Sequence, residues 1–428
     1  MEINVKRQSS SREKNAEIKH ISDFLKSRYD FRYNEVLDRD EIRVKGESVY
    51  MPLTDQRLAV LELEAINAGM FQKQRIISLL VKSRTLAETY NPFKAYFDTI
   101  RGKWKEGDTD HIENLLGYIT FKCYRNDAER RFAHEMFKKH LVRCVACVLR
   151  KIPFNKQCFV FQGGQSAGKS YFFRWLCPDE LAGEYYKENP DLSHKDSTIA
   201  LSENFMMNLD ELDGMHKTEA SRIKTLISQD NFKVRRNYGI RDEKMIRYAS
   251  FFGSINDMEF LNDLTGNVRW LVFELLTIQH DNGGGKGYAA RIDKNMVWAQ
   301  ALALAESDDY KCQLTKEEEM QVSQNNGKFI KLPAEVEIIE RYFQPCQPGT
   351  DGEVLLTSTT VRDAIRDISK GANNFSTDRI GKAMAYLNFE KRSRKVNGNS
   401  PRYYYSAVSV KDEILQFLPE TGYYLTTI

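Results

Sequence analysis

The stretch FVFQGGQSAGKSYFFRWL, residues 159–176, constrains the fold more than any other. Gly163-Gly164-Gln165-Ser166-Ala167-Gly168-Lys169-Ser170 fits the pattern G-x-x-x-x-G-K-[ST] in full. The context also fits. CFVF (158–161) reads as a buried strand, and SYFFRWLC continues as a helix. A strand that passes through a glycine loop into a helix implies an α/β domain with a parallel sheet. The glycines let backbone N–H groups turn inward around phosphate oxygens, and the helix start adds its positive end. Lys169 would neutralise the β- and γ-phosphates of ATP, and the Ser170 hydroxyl would ligate Mg²⁺.

A phosphate cradle that hydrolyses its ligand also needs acids at a second strand end. FMMNLDELDG supplies them: apolar 205–209 runs into Asp210-Glu211, with Asp213 beyond the strand end. Asp210 would hold the Mg²⁺ shell, and Glu211 would polarise the attacking water. Downstream, the apolar run MIRYASFFGSIN ends at Asn256, an amide placed to orient that water against the γ-phosphate. LTGNVRWLVFEL puts Arg269 just before another buried strand, where it would serve as a finger reaching a neighbouring molecule's site.

Length and composition set the frame. A chain of 428 residues exceeds one compact core, and 41% hydrophobic with 29% charged residues is a globular balance. The net charge of +3 excludes a polycation and permits a local basic site. No apolar run reaches the ~18–20 residues that span a bilayer, so no membrane partner is expected. Seven cysteines on a long chain suggest free thiols and a cytoplasmic location. Cys144 and Cys147 form the one CxxC, but they fall on the apolar face of a helical run with Phe137 and Leu141 and read as packing. The histidines are dispersed and suggest no metal centre.

Residues 1–20 are polar and expected to be irregular. Short strands should follow to about residue 54, then helices from Gln56 to Arg150, with Asp108 or Thr109 capping one of them. The boundaries read as 1–125, a 126–278 α/β core, a 279–330 linker and helix, and a 331–428 terminal unit. The glycines of HDNGGGKGYAAR (280–291) lack a preceding strand and a Gly-Lys-Ser ending, so they read as a mobile connector.

The segments GGQSAGKS, NLDELDG, RIKTLIS, KVRRNYG, RYASFFGSIND and TGNVRW, in that order, resemble the virulence-associated protein E family of P-loop ATPases, relatives of the superfamily 3 helicases of the AAA+ class. The resemblance implies an α/β P-loop AAA+ core of superfamily 3 helicase type, with a helical N-terminal region and a C-terminal winged helix. It implies a homo-oligomeric ring, usually a hexamer, with ATP between subunits. Gly163–Ser170 would be Walker A, Asp210-Glu211 Walker B, Asn256 the sensor amide and Arg269 the finger. Arg235, Arg247 and Lys224 match family-typical positions and rank second. The hairpin between Phe232 and Ser250 takes the place of the channel-facing hairpin. Arg241 and Lys244 near its tip would grip a single DNA strand, although the same charges suit a solvated hairpin.

In the terminal unit, helices over 333–344, 357–369 and 376–389 precede a hairpin turning at Asn397-Gly398, which is the winged-helix pattern. Arg379 and Lys382 on the third helix, with Lys391, Arg392, Arg394, Lys395 and Arg402 on the wing, would contact DNA phosphates or simply be solvated while the unit packs on the ring. Of Tyr403, Tyr404 and Tyr405, strand alternation puts at least one in the core. Two functions share these residues: a ring helicase in replication of a phage or mobile element, or an ATP-gated DNA-binding initiator, excision or defence factor that does not unwind processively. A small-molecule kinase would leave the winged helix unexplained. No primase signature stands upstream, so primer synthesis would reside in a separate protein.

Overall fold

The computed structural model describes residues 2–71, 73–122, 127–190, 195–212, 217–234, 243–261, 267–281, 284–347, 349–394, 402–409 and 411–418. The chain opens with helix α1 (Glu2–Arg28) where an irregular tail was expected. Residues 2–28 contain no Gly or Pro, and Ile21 and Leu25, one turn apart, are buried at 1% and 0% exposure, which anchors the helix. Strands β1 (Tyr29–Asn34), β2 (Arg39–Val44), β3 (Met51–Pro52) and β4 (Glu88–Tyr90) form a sheet in the order β3-β2-β1-β4. Helices α2 (Asp55–Asn67) and α3 (Gln74–Lys82) share its core, in which Phe31, Ile42, Leu61, Ile77 and Leu80 are buried.

The expected helical run contains α4 (Pro92–Ile100), α5 (His111–Leu116) and α6 (Asp127–Val148), interrupted by β4 and by β5 (Ile119–Phe121). Three-residue strands leave too little alternation to be read from sequence. The cap of α5 is Asp110, whose carboxylate accepts from Glu113 N at 2.8 Å. Asp108 instead accepts from Lys105 N and closes the preceding turn.

The central sheet runs β5-β12-β6-β11-β8-β7. Its strands are β6 (Cys158–Gln162), β7 (Tyr186–Glu188), β8 (Met206–Leu209), β11 (Ser250–Ile255) and β12 (Trp270–Ile278), all mutually parallel, with β5 antiparallel at the edge. Every residue of β6, β8 and β11 is buried, as a parallel sheet covered on both faces requires. One face packs Phe159, Phe161 and Phe252 against α6, α7 (Lys169–Leu176) and α12 (Lys294–Glu306). The other packs Val160, Met207 and Phe251 against α9 (Lys195–Glu203) and α10 (Lys217–Ser228). The first of these cores extends from Val36 to Val322, across the expected boundaries at 125/126 and 278/279.

Short α8 (Asp179–Ala182) and α11 (Tyr288–Arg291) cover the periphery, and β9 (Asn231–Val234) pairs with β10 (Glu243–Ile246) as a separate ribbon. Along β12 lies α13 (Lys316–Asn326), whose Asn325 and Asn326 amides donate to the edge carbonyls of Val272 and Trp270. The terminal unit holds α14 (Ala334–Tyr342), α15 (Ser358–Ile368) and α16 (Thr377–Tyr386), capped by Ser376. Strand β16 (Arg402–Ser409) pairs antiparallel with β13 (Phe343–Pro345), β14 (Val354–Leu356) and β15 (Lys391–Arg394). The turn at Asn397-Gly398 lies outside the described residues. No helix among the described residues is long and apolar enough to cross a membrane.

Candidate phosphate-binding site

The site forms where three neighbouring parallel strands end. Strand β6 runs out at Gln162, and Gly163 N donates to Ile255 O at 3.1 Å, so the glycine loop starts bonded to β11. A Cβ on Gly163 would lie 3.3 Å from the Leu275 Cβ, so the loop starts in close contact with β12. Ser166 (φ 63°) and Gly168 (φ 77°) are left-handed, which turns the loop back on itself before α7 begins at Lys169. Gly164, Gln165 and Ser166 are exposed, while Ala167, Gly168 and Ser170 are half-buried.

Lys169 is 6% exposed. Its ammonium donates to Gly163 O and Gly164 O at 2.8 Å each and to Asn256 Oδ1 at 3.0 Å. The amide is pinned in turn, because Gln162 Nε2 donates to Asn256 O at 2.9 Å. Register accounts for this meeting: Ile255 lies opposite Gln162 and Gly253 opposite Leu209. Asn256 therefore falls beside the loop, and Ser254, two residues earlier on the same face, falls beside Asp210. The Ser254 hydroxyl donates to Asp210 Oδ1, and Asp210 N donates to Asn189 Oδ1 at 3.0 Å. Ser254 and Asn256 are about 7 Å apart along β11, a separation suited to a phosphate group with its metal ion. Glu211 is exposed and left-handed (φ 56°), which turns it off the line of β8. Lys169, Asn256 and Asp210 thus converge on one sheet edge, the carboxyl edge at which open α/β sheets bind ligands.

The other expected residues lie elsewhere. Arg269, in a single turn before β12, donates to Ser228 Oγ at 2.9 Å. Trp270 pairs with Cys158, so Arg269 sits at the amino edge of the sheet, roughly 16 Å along β6 from its own glycine loop. Arg247 is fully buried and donates to five backbone carbonyls, which makes it a stitch in the core rather than a residue facing the site. Lys224 is half-buried on α10. Asp213, Arg235 and Arg241 lie outside the described residues. Lys244 is exposed on β10 directly opposite the exposed Lys233.

In the terminal unit, Arg379 donates twice, at 2.7 Å, to the carboxylate of buried Glu335 and ties α16 to α14. Lys382 pairs with Asp378 at 2.8 Å and Arg392 with Glu390 at 3.4 Å, while Lys391 is exposed. The side chains of Arg394, Arg402, Tyr403 and Tyr404, and all of Lys395, lie outside those described; Tyr405 is core at 4% exposure. Cys144 and Cys147 are fully buried in α6, and burial pushes the Cys144 thiol up to about 12. They are packing groups, as their spacing suggested.

Sequence reasoning missed Ser254, Asn189, Lys233 and His280. His280 comes from the presumed connector. Among the described residues the connector is a closed loop: Tyr288 N donates to Gln279 O at 3.2 Å, and Gly284 N to Asp281 O at 2.7 Å. Gly287 serves that closure, since a Cβ there would lie 2.2 Å from Asp281 N.

Residues 101–331 match the model of the virulence-associated protein E-like domain. Solved structures similar in outline include the apo NrS-1 C-terminal region, with a TM-score of 0.48 at 12% identity, covering 91% of this chain and 97% of that one. SCCmec type IV Cch, described as an active helicase, gives 0.41 at 12% identity over 91% and 93%. The JCV helicase gives 0.24 at 12% identity over 74% and 86%. No curated protein matches the chain. The matched region takes in the glycine loop, the Asp210 strand end, Asn256 and Arg269, and it spans more than half of the 428 residues; the chain belongs to the virulence-associated protein E-like family.

Proposed function

We propose that this protein is an ATP-dependent DNA motor that forms a ring and acts as a helicase in replication of a phage or mobile element. The observation that carries the reading is the bond from the Lys169 ammonium to Asn256 Oδ1, with Asp210 held two strand positions away. The loop fits a triphosphate: Gly164 has open space where a side chain would stand, left-handed Ser166 and Gly168 turn the backbone back on itself, and Lys169 already faces oxygen acceptors. Gly163–Ser170 would hold the phosphates, and Ser170 and Asp210 would hold Mg²⁺, which neutralises developing charge between the β- and γ-phosphates. Asn256 and Glu211 would orient and polarise the attacking water.

The distance of Arg269 from its own loop supports a role at a neighbour's site, as ring assembly requires. Lys233 opposite Lys244 supports anion binding by the β9–β10 ribbon. Directly opposed like charges destabilise a sheet unless an anion relieves them, and a DNA backbone would do so. In the proposed division, the AAA+ ATPase is centred on 126–278, with parts of 1–125 and 279–330 packed into the same core; 1–125 would add a collar or partner-docking surface, and 331–428 a winged helix. Three helices followed by the β15–β16 pair support the last assignment.

The test is phosphate release with and without single-stranded DNA, alongside strand displacement on a forked duplex. DNA-stimulated hydrolysis lost in Lys169→Ala, with displacement lost in the Arg241→Ala/Lys244→Ala double variant, supports the motor. Hydrolysis and DNA binding without displacement would point to the ATP-gated switch. Wild-type hydrolysis in Lys169→Ala would refute the site.

A further inference from the structure

His280 follows β12 and reaches the glycine loop from outside. Its Nε2 is 3.1 Å from Ala167 O, and its Nδ1 is 3.1 Å from the Tyr288 hydroxyl. A carbonyl oxygen only accepts, so the bond to Ala167 requires the proton on Nε2. In the neutral ring Nδ1 is then the acceptor, and Tyr288 donates to it. Tyr288 is fully buried, packed at 4.7 Å on Trp175 and 5.2 Å on Phe172 of the helix that follows the loop. Tyr171 meets the imidazole edge-on at 5.8 Å. The ring is therefore held on a rigid base, and it lies so close to the loop that a Cβ on Gly168 would be 1.9 Å from Nε2.

The carbonyl it holds shares a peptide unit with the Gly168 N–H. In a planar trans peptide the two point in opposite directions. A donor that pins Ala167 O from outside therefore turns the Gly168 N–H inward, toward the space a phosphate would occupy. Gly168 at φ 77° is the residue most able to flip that peptide, so without the brace the N–H is free to rotate away. Glycine at 168 is thus required twice, by its backbone angle and by the ring above it.

We propose that His280, oriented by Tyr288, is a positioning residue that aims the Gly168 N–H into the anion cradle and so sets nucleotide affinity. This rests on the nucleotide reading of the loop. The role needs no contact between His280 and the nucleotide.

The experiment measures binding of a fluorescent ATP analogue with Mg²⁺ by the full chain, together with KM and kcat for hydrolysis. His280→Ala is expected to weaken binding and raise KM about fivefold, the equivalent of one ordinary hydrogen bond, with kcat changed less than about twofold. His280→Gln, which can return an N–H to Ala167 O, should recover most of the affinity. Tyr288→Phe should fall between, and adding it to His280→Ala should cost nothing further. Equal loss in the Ala and Gln variants, or additive loss in the double variant, overturns the proposal in favour of simple packing. Unchanged affinity in His280→Ala with wild-type binding intact overturns this inference alone. A wild type that binds no nucleotide overturns both it and the nucleotide reading. Should His280→Ala fail to fold, the Gln variant and Tyr288→Phe carry the same comparison.

Discussion

Replacing Arg247 separates a core stitch from a site residue. Its guanidinium donates to Leu226 O and Ile227 O at the end of α10, to Gln229 O just beyond, to Asn155 O ahead of β6, and to Ala249 O ahead of β11, at 2.7–3.2 Å. It therefore caps a helix end and joins it to the entry of two central strands. Burial pulls its pKa down to about 10, with the Cys147 and Cys158 thiols opposing that, so it stays charged at neutral pH. Arg247→Met keeps the aliphatic stem and orphans all five carbonyls. Breaking a buried charged network of this kind costs about 3–5 kcal/mol. At roughly 2–4 °C per kcal/mol for a unit of this size, the melting point should fall by roughly 6–20 °C. Arg247→Lys, with three donors on a single nitrogen, should fall by less. Melting is followed by circular dichroism, and hydrolysis is normalised to folded chain well below the transition. The expected result is a large melting shift with hydrolysis per folded molecule largely retained. A wild-type melting point with hydrolysis abolished would refute the structural role and return Arg247 to the site.

Asn256→Ala removes one acceptor from Lys169 but leaves two carbonyls, so nucleotide binding should persist while kcat drops about ten- to hundredfold, measurable by phosphate release. Asn256→Asp should raise KM instead, because a carboxylate there competes with phosphate for the ammonium. Arg379→Ala strands the buried Glu335 carboxylate and should destabilise the protein by about 1–3 kcal/mol, with Glu335→Gln in the same chain recovering part of it by thermal melting. Lys233→Ala with Lys244→Ala should weaken single-stranded DNA binding and flatten its salt dependence by about 1.4 units of slope, read by anisotropy across a salt series.

The sheet was legible because its strands are fully buried apolar runs ending at chemically marked residues. CFVF before the glycine loop and FMMNL before Asp210 announce both strand and site. The meeting of Lys169 with Asn256 was foreseeable as a shared strand edge, but the register that also brings Ser254 to Asp210 is a pairing fact with no local signature. Arg247 shows the converse. An arginine in an apolar run reads as functional or exposed, and only the tertiary structure reveals five carbonyls around it. The glycines of 280–291 looked like a mobile connector because composition reports backbone freedom, whereas closure depends on the long-range packing of Tyr288. Arg379 and Glu335, far apart in sequence, carry no pattern that marks them as a pair.

In the proposed ring, one chain's phosphate loop works with a neighbour's Arg269, so two inactive variants, Lys169→Ala and Arg269→Ala, should complement each other when mixed and assayed for DNA-stimulated hydrolysis. In random rings, an intact loop meets an intact arginine at about a quarter of the interfaces, so activity should return to roughly that fraction of wild type. No recovery on mixing, with both variants shown to assemble together, would contradict the account.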